Sequence, residues 1–417
     1  MGNSRRYIKD GFLKSCFIIS LLVGFAANMS FAASDNAALF YYQALINCPK
    51  EIPFTDDERR IISSDHEISK ELRQKLRLHR MLILKPVDVG TEIEYCDWGL
   101  ATFGDGFEVI QGRPQRLASS VADRFLMFRG MAMVDARFLW RDGDYPGAFR
   151  RCLTLRKLAR HLGQEVDLAG LAWVYGEGVY CVLSGFLGSK SVDPQTLLWL
   201  REQLSAEVDT SEWPINAIRG REKRCFQSFT ISLKKGRLRK YRNDSSPECT
   251  DVFRAKQKIY NRLSDKEFFE LVQQRNKGIM DDIHAMLSNM RPPYEPIHQK
   301  LNESFVIPIS EEQEKRNDPL LITVVPFDEV ITPIYQFFEL ETKMNALRAA
   351  IEIYLLKSQT GKLPEAIPMN VPKSPYKEQA FKYEVTDDGF VLSYSPDWWK
   401  GSLNRRPRDL NFKVSAD

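Results

Sequence analysis

Apolar residues recur at steps of three and four along Leu117, Val121, Phe125, Phe128, Ala132, Ala136 and Leu139. That spacing places them on one face of a helix. Asp142-Gly143-Asp144-Tyr145-Pro146-Gly147 reads as a turn. Ala148, Cys152, Leu155, Ala159 and Leu162 then repeat the period up to Gly163. A glycine just past the last periodic position is a common helix stop. Two amphipathic helices joined by so short a turn pack antiparallel, each covering the other's apolar face.

The same logic runs along most of the chain. Asn36 to Leu45 reads as a short aromatic-rich helix closed by Pro49. Thr55-Asp56-Asp57-Glu58 is a capping box that opens a helix to about Leu84, limited by Pro86. Residues 87–113 read as irregular and hold Cys96, Asp97 and Trp98. An apolar helix over 166–187 contains Gly176-Glu177-Gly178, and Asp193-Pro194 opens another to about Leu204. Ser264-Asp265-Lys266-Glu267 is a second capping box, with a helix to about Met290 broken by Arg291-Pro292-Pro293-Tyr294. A long helix from about Phe327 to Ser358, bent at Pro333, ends this run. After Gly361 the period becomes two: Phe381, Tyr383 and Val385, a turn at Thr386-Asp387-Asp388-Gly389, then Phe390 to Tyr394 form a β-hairpin. The pattern predicts a mainly α fold of stacked antiparallel helical hairpins, as a tetratricopeptide-like superhelix or an α/α toroid, with a small C-terminal α+β hairpin module. The segment GDYPGAFRRCLTLRKLARHL looks like the second half of a tetratricopeptide hairpin, without the ~34-residue period of such repeats. The domain reading is a leader at 1–32, a helical domain at 33–326, and a long helix plus hairpin module at 327–417.

Composition narrows the class. With 43% apolar and 27% charged residues over 417 positions, the chain is neither disordered nor collagen-like. The N-terminus reads as an export signal. Arg5, Arg6, Lys9 and Lys14 precede an apolar stretch from Cys16 to Phe31, and Ser30-Phe31-Ala32 places small residues at a signal-peptidase site. Cleavage after Ala32 and a periplasmic or secreted protein are the expectation. An uncleaved anchor over Ser15–Ala33 is the alternative, since about 20 residues span a bilayer. No other segment reads as apolar enough to meet a bilayer, which excludes a multi-span membrane protein. The leader holds four of the 59 basic and one of the 55 acidic side chains, so its loss takes the net charge from +4 to +1. A global nucleic-acid function loses its support.

Outside the leader six cysteines remain: Cys48, Cys96, Cys152, Cys181, Cys225 and Cys249. An even number in an exported chain suggests disulfides. Sequential pairs close local loops, which favours Cys48–Cys96, Cys152–Cys181 and Cys225–Cys249. Buried thiols are the alternative, and Cys152 lies on an apolar helix face.

Near the C-terminus, ALRAAIEIYLLKSQTGKLPEAI and VPKSPYKEQAFKYEVTDDGFVLSYSPD combine a long helix, Thr360-Gly361-Lys362-Leu363-Pro364, Pro372-Lys373-Ser374-Pro375 and the hairpin. This stretch, about 345–397, resembles the tail module of type II secretion pseudopilins, which also occurs in many exported bacterial proteins. The resemblance implies a shared structural module. A pseudopilin carries its N-terminal methylated helix directly ahead of the tail, whereas about 300 mostly helical residues intervene here. The calcium-site aspartates of that family have no secure counterpart in this chain; Asp397 alone is a poor match.

Three constellations could carry chemistry. Lys234, Lys235, Arg237, Arg239, Lys240 and Arg242 fall within nine residues and would bind a polyanion through salt-sensitive electrostatics. Asp97-Trp98, Trp173, Tyr175, Glu177 and Tyr180 pair carboxylates with aromatics, as glycan-processing sites do. Glu177, Tyr175 and His161 would be the catalytic groups of such an enzyme; core packing is the other reading of the aromatics. The five histidines include no HExxH and no i, i+4 pair, so a metal site would need distant ligands such as Asp281, Asp282 and His284. No phosphate loop, dinucleotide fingerprint or GxSxG elbow occurs. The expectation is therefore an exported, non-enzymatic binding or scaffold protein without cofactor or metal. Its partner would be a protein or envelope polymer, not a nucleic acid or nucleotide, with peripheral membrane contact a further option. The alternative is a secreted polysaccharide lyase or glycoside hydrolase with a helical toroid. A third reading, from the tail alone, is an accessory component of a secretion or pilus-like assembly.

Overall fold

Helices dominate the chain, as its three- and four-residue periods require. The computed structural model describes residues 35–49, 53–62, 66–99, 115–189 except 167, 192–205, 213–222, 255, 258–304 except 289 and 302, 327–394 and 410–413. The chain forms two units, one from residues up to Lys50 with Lys70–Gly112, the other from Glu51–Ser69 with Arg113–Asp417.

In the first unit helix α1 spans Ala37–Asn47. The Asn36 side chain caps it, accepting from the Ala38 N–H at 3.1 Å. That side chain also accepts from the Asp97 N–H at 3.0 Å and donates to the Asp97 carbonyl at 2.9 Å. One residue thus starts the helix and fastens an extended segment beside it. Trp98, buried there, stacks on Tyr41 with ring centroids 5.2 Å apart. Helix α2, Asp56–Ile62, belongs to the second unit; α3 (Lys70–His79), a π-helical turn (Arg80–Leu84) and α4 (Lys85–Thr91) complete the first. The capping box at Thr55 and Glu58 is present, with bonds of 2.7 and 3.1 Å. The helix it opens stops at Ile62 instead of reaching Leu84. In the sequence the polar run Ser63-Ser64-Asp65-His66 follows it and interrupts the apolar period. Pro86 in turn does not end its helix. It sits in the first turn of α4. The carbonyl four residues back, at Leu82, receives no proline N–H; the Asn47 side-chain amide donates to it at 3.1 Å. Gly90 lets α4 meet α1 closely: a Cβ there would lie 2.8 Å from the Tyr41 ring.

The second unit contains the predicted hairpin, α5 (Gln115–Arg141) and α6 (Tyr145–Gln164). Gly143 takes φ +86° in the turn, and the Asp144 side chain caps α6 by accepting from the Gly147 N–H at 2.9 Å. A buried ion pair, Arg151 to Asp135 at 3.0 Å, joins the two helices. Trp140 stacks on Phe186 at 4.5 Å and donates its indole N–H to Ser189 at 3.0 Å. Then follow α7 (Gly170–Ser189), α8 (Pro194–Ser205), α9 (213–222), α10 (Asp265–Leu287), α11 (Glu295–Leu301) and α12 (Phe327–Thr360). The Ser264/Glu267 capping box starts α10 as expected. Helix α7 is long and apolar enough to cross a membrane, which the sequence reading reserved for the leader. Here it is a core helix with α5, α6 and α12 packed around it, the position in which a helix is apolar on every side.

The C-terminal hairpin is β1 (Lys382–Thr386) and β2 (Gly389–Ser393), paired antiparallel with Thr386 opposite Gly389. A third strand, β3 (Leu410–Lys413), adds to β2 and gives the order β1-β2-β3. Phe390 stacks on Phe412 of β3 at 5.4 Å and packs on Tyr354 of α12 at 5.4 Å. Residues from 327 onward do not stand apart as a domain: α12 packs on α7 and α8, and β3 packs on α7, within the second unit.

Candidate functional site

The acid–aromatic residues divide between the two units. Asp97-Trp98 belongs to the first, inside the Asn36 clamp. Trp173, Tyr175, Glu177 and Tyr180 lie on α7 in the second. Two glycines flank Glu177 because neighbours crowd the helix there. A Cβ on Gly176 would sit 2.4 Å from the Leu340 side chain of α12, and one on Gly178 2.5 Å from the Arg129 guanidinium. The close crossing brings Lys343 of α12 to Glu177. Its ammonium donates to both carboxylate oxygens, at 2.9 and 2.7 Å. It also pairs with Glu339, one turn back on its own helix, at 2.7 Å. The Lys343 and Glu339 side chains are only 4% and 7% exposed, and Lys343 also lies 5.7 Å from the centroid of the Tyr180 ring. Burial, with the nearby Cys181 and Glu177, pushes the Tyr180 hydroxyl well above the ordinary phenol range.

This arrangement answers what Glu177 can do. Glycan hydrolysis needs two carboxylates flanking a bond, with space for a sugar between them. Here the Lys343 ammonium stands between Glu177 and Glu339, pairing with both carboxylates where a sugar would have to sit. Tyr175 is fully buried and its hydroxyl donates to the Phe125 carbonyl. His161 is 2% exposed inside α6. All three groups face the interior.

A second polar cluster escaped the sequence reading. His298 of α11 is 5% exposed and lies between two tyrosines. Its Nδ1 is 2.7 Å from the Tyr376 hydroxyl, and its Nε2 is 3.3 Å from that of Tyr335 on α12. Burial drives the His298 pKa down to about 4, against a smaller upward pull from Glu295, so the ring is neutral at neutral pH. Burial also pushes the Tyr335 hydroxyl up to about 12. The cluster closes a clasp. The Tyr294 and Glu295 N–H groups, which have no acceptor within the helix at the start of α11, bond the Pro375 and Tyr376 carbonyls at 3.1 and 3.0 Å. Lys377 pairs with Glu295 at 3.1 Å. The three partners are separated by 37 and 78 residues. No spacing rule joins them; the only sequence cue is an aromatic directly after Pro375.

The remaining candidates are quickly placed. Lys234, Lys235, Arg237, Arg239, Lys240, Arg242, Cys225, Cys249 and the leader lie outside the described residues. The other four cysteines are thiols, so the local pairs Cys48–Cys96 and Cys152–Cys181 are not formed. Their surroundings explain it: Cys152 is enclosed in the core while Cys181 faces outward, and Cys48 is buried while Cys96 lies half-buried. Among the described residues no group of three or more His, Cys, Asp and Glu could hold a metal. His284 instead keeps a buried Nε2 with no hydrogen-bond partner, and its pKa is lowered by burial and by Arg219.

No known protein family, curated protein or solved structure matches the chain.

Proposed function

We propose that this is an exported helical protein that acts by binding or scaffolding, not by catalysis, with a protein or envelope polymer as its partner. One observation carries the reading over the lyase or hydrolase alternative: the Glu177 carboxylate is engaged by Lys343 in a buried ion-pair cluster that fastens α7 to α12. A carboxylate so paired serves the fold, since its removal would take from a buried ammonium its interhelical partner and leave it Glu339 alone of the two carboxylates. Export rests on the charged and apolar pattern of residues 5–32. The test has two arms. Purified chain is incubated with neutral and anionic envelope polysaccharides, and new reducing ends and unsaturated uronates are measured, with Glu177→Gln alongside. No cleavage is expected; turnover that Glu177→Gln abolishes would overturn the reading in favour of a glycan-processing enzyme. Cell fractionation with N-terminal mass analysis should find a chain beginning at Ala33 outside the cytosol. A full-length cytosolic product would remove the export half of the proposal.

A further inference from the structure

The helical stretch α3 to α4 is apolar on two faces. Leu72, Leu76, Ile83, Leu84 and Val87 point into the core of the first unit. On the other side Leu78, Met81, Leu82 and Val89 are 54%, 68%, 46% and 42% exposed. A helix packed on a core ordinarily turns polar residues outward. Here four large apolar side chains take those positions, and they fall on one stripe. Ile46 at the end of α1 extends the patch at 58% exposure, held near Leu82 by the Asn47 bond to its carbonyl.

Charge decides what such a stripe suits. Residues 70–91 hold six basic side chains, Lys70, Arg73, Lys75, Arg77, Arg80 and Lys85, against two acidic ones, Glu71 and Asp88. Arg77 and Lys85 are exposed on the apolar stripe itself. Once this excess and the leader are set aside, the remaining 49 basic and 52 acidic side chains leave a net −3 spread over 363 residues, so a second copy offers no concentrated complementary charge. A surface that is both apolar and anionic does. Basic helices with exposed apolar side chains lie in the interface of anionic bilayers, their apolar groups among acyl chains and their Lys and Arg heads at the phosphates.

We infer that the outward face of α3, the π-helical turn and α4 docks the protein on an anionic lipid surface, through Leu78, Met81, Leu82 and Val89 flanked by Arg77 and Lys85. The inference goes beyond the binding role proposed above, because it names a surface and a partner and does not depend on the absence of catalysis.

The test uses the chain beginning at Ala33, which lacks the apolar leader and keeps every described residue. Cosedimentation is measured with phosphatidylcholine vesicles and with vesicles one-third phosphatidylglycerol, across a salt series. Binding to the anionic vesicles that weakens with salt is expected. Arg77→Gln with Lys85→Gln should lower the partition coefficient about 30-fold, at about 1 kcal/mol for each charge near the surface. Leu78→Ser, Met81→Ser and Leu82→Ser together should lower it by about 100-fold or more. These side chains are exposed, so the variants should keep wild-type circular dichroism and melting. No binding to anionic vesicles overturns the inference, as does equal binding to neutral ones. Vesicle binding unchanged in the triple variant places the contact elsewhere. Self-association that the triple variant abolishes, without lipid binding, reassigns the stripe to a protein interface.

Discussion

Acid should loosen the clasp around His298. In the unfolded chain the imidazole titrates near 6.5; in the native state burial holds it to about 4. Between those values the unfolded chain binds a proton that the native protein refuses. Stability from this group is therefore full above pH 6.5 and falls as pH drops toward 4. The whole displacement corresponds to about 3 kcal/mol, of which about 2 kcal/mol is lost between pH 7.5 and pH 5. A protonated ring cannot accept from either tyrosine hydroxyl, and it puts a charge into a site that is 5% exposed.

Urea unfolding followed by circular dichroism at pH 7.5 and 5 measures the effect, with His298→Gln beside the wild type. The variant loses stability at pH 7.5, because the Tyr376 and Tyr335 hydroxyls lose their shared partner. Its further loss on acidification should be smaller than the wild-type loss by about 2 kcal/mol. His79 and His284 are also held below their ordinary values by burial, so both proteins keep a residual slope of the same sign. Only the difference between the profiles belongs to His298. Parallel profiles would refute the reasoning.

Two further outcomes test the interior. Lys343→Ala leaves the buried Glu339 and the partly buried Glu177 carboxylates without their shared cation and should cost about 3–5 kcal/mol in the same unfolding assay; replacing all three members with leucine should cost far less, and equal costs would contradict an ionic origin. Native alkylation followed by peptide mass mapping should label Cys181 quickly and leave Cys152 unlabelled, since burial pushes the Cys152 thiol up to about 12; simultaneous labelling would mean that α6 is not enclosed as described.

The parts of this architecture legible in the sequence are those encoded by local repetition. The α5–α6 hairpin, both capping boxes and the β1–β2 turn depend on residues within a few positions of each other, and each forms where its pattern lies. Misjudged features turn on partners far along the chain. Pro86 looked like a stop because nothing nearby shows that Asn47, 35 residues from Leu82, supplies the missing donor. Strand β3 is four residues long and has only Leu410 and Phe412 to mark it, and they matter because Leu392 and Phe390 lie opposite them on β2. Glu177 between two glycines reads as a candidate catalytic carboxylate. The glycines serve instead to admit Leu340 and Arg129, side chains distant in sequence. The exposed stripe on α3 and α4 had the reverse problem. Its apolar residues are periodic on both faces, and only the three-dimensional packing tells which face is covered.

The Glu177 cluster also bears on why two long helices hold one alignment. Helices α7 and α12 are both largely apolar, and apolar ridges tolerate sliding by a turn at modest cost. Their stability comes from burial and would survive the loss of the charges, since well-packed apolar residues often replace a buried ion pair without penalty. Alignment is a different matter. Lys343, already paired with Glu339 on its own helix, reaches Glu177 with Leu340 seated over Gly176, because the lysine and the leucine lie three residues apart on one face of α12. A shift by one turn would carry the Lys343–Glu339 pair along with α12 and leave the Glu177 carboxylate without its lysine. The cluster thus penalises every alignment except the observed one, and that alignment is also what sets β3 against α7 and Phe390 against Tyr354.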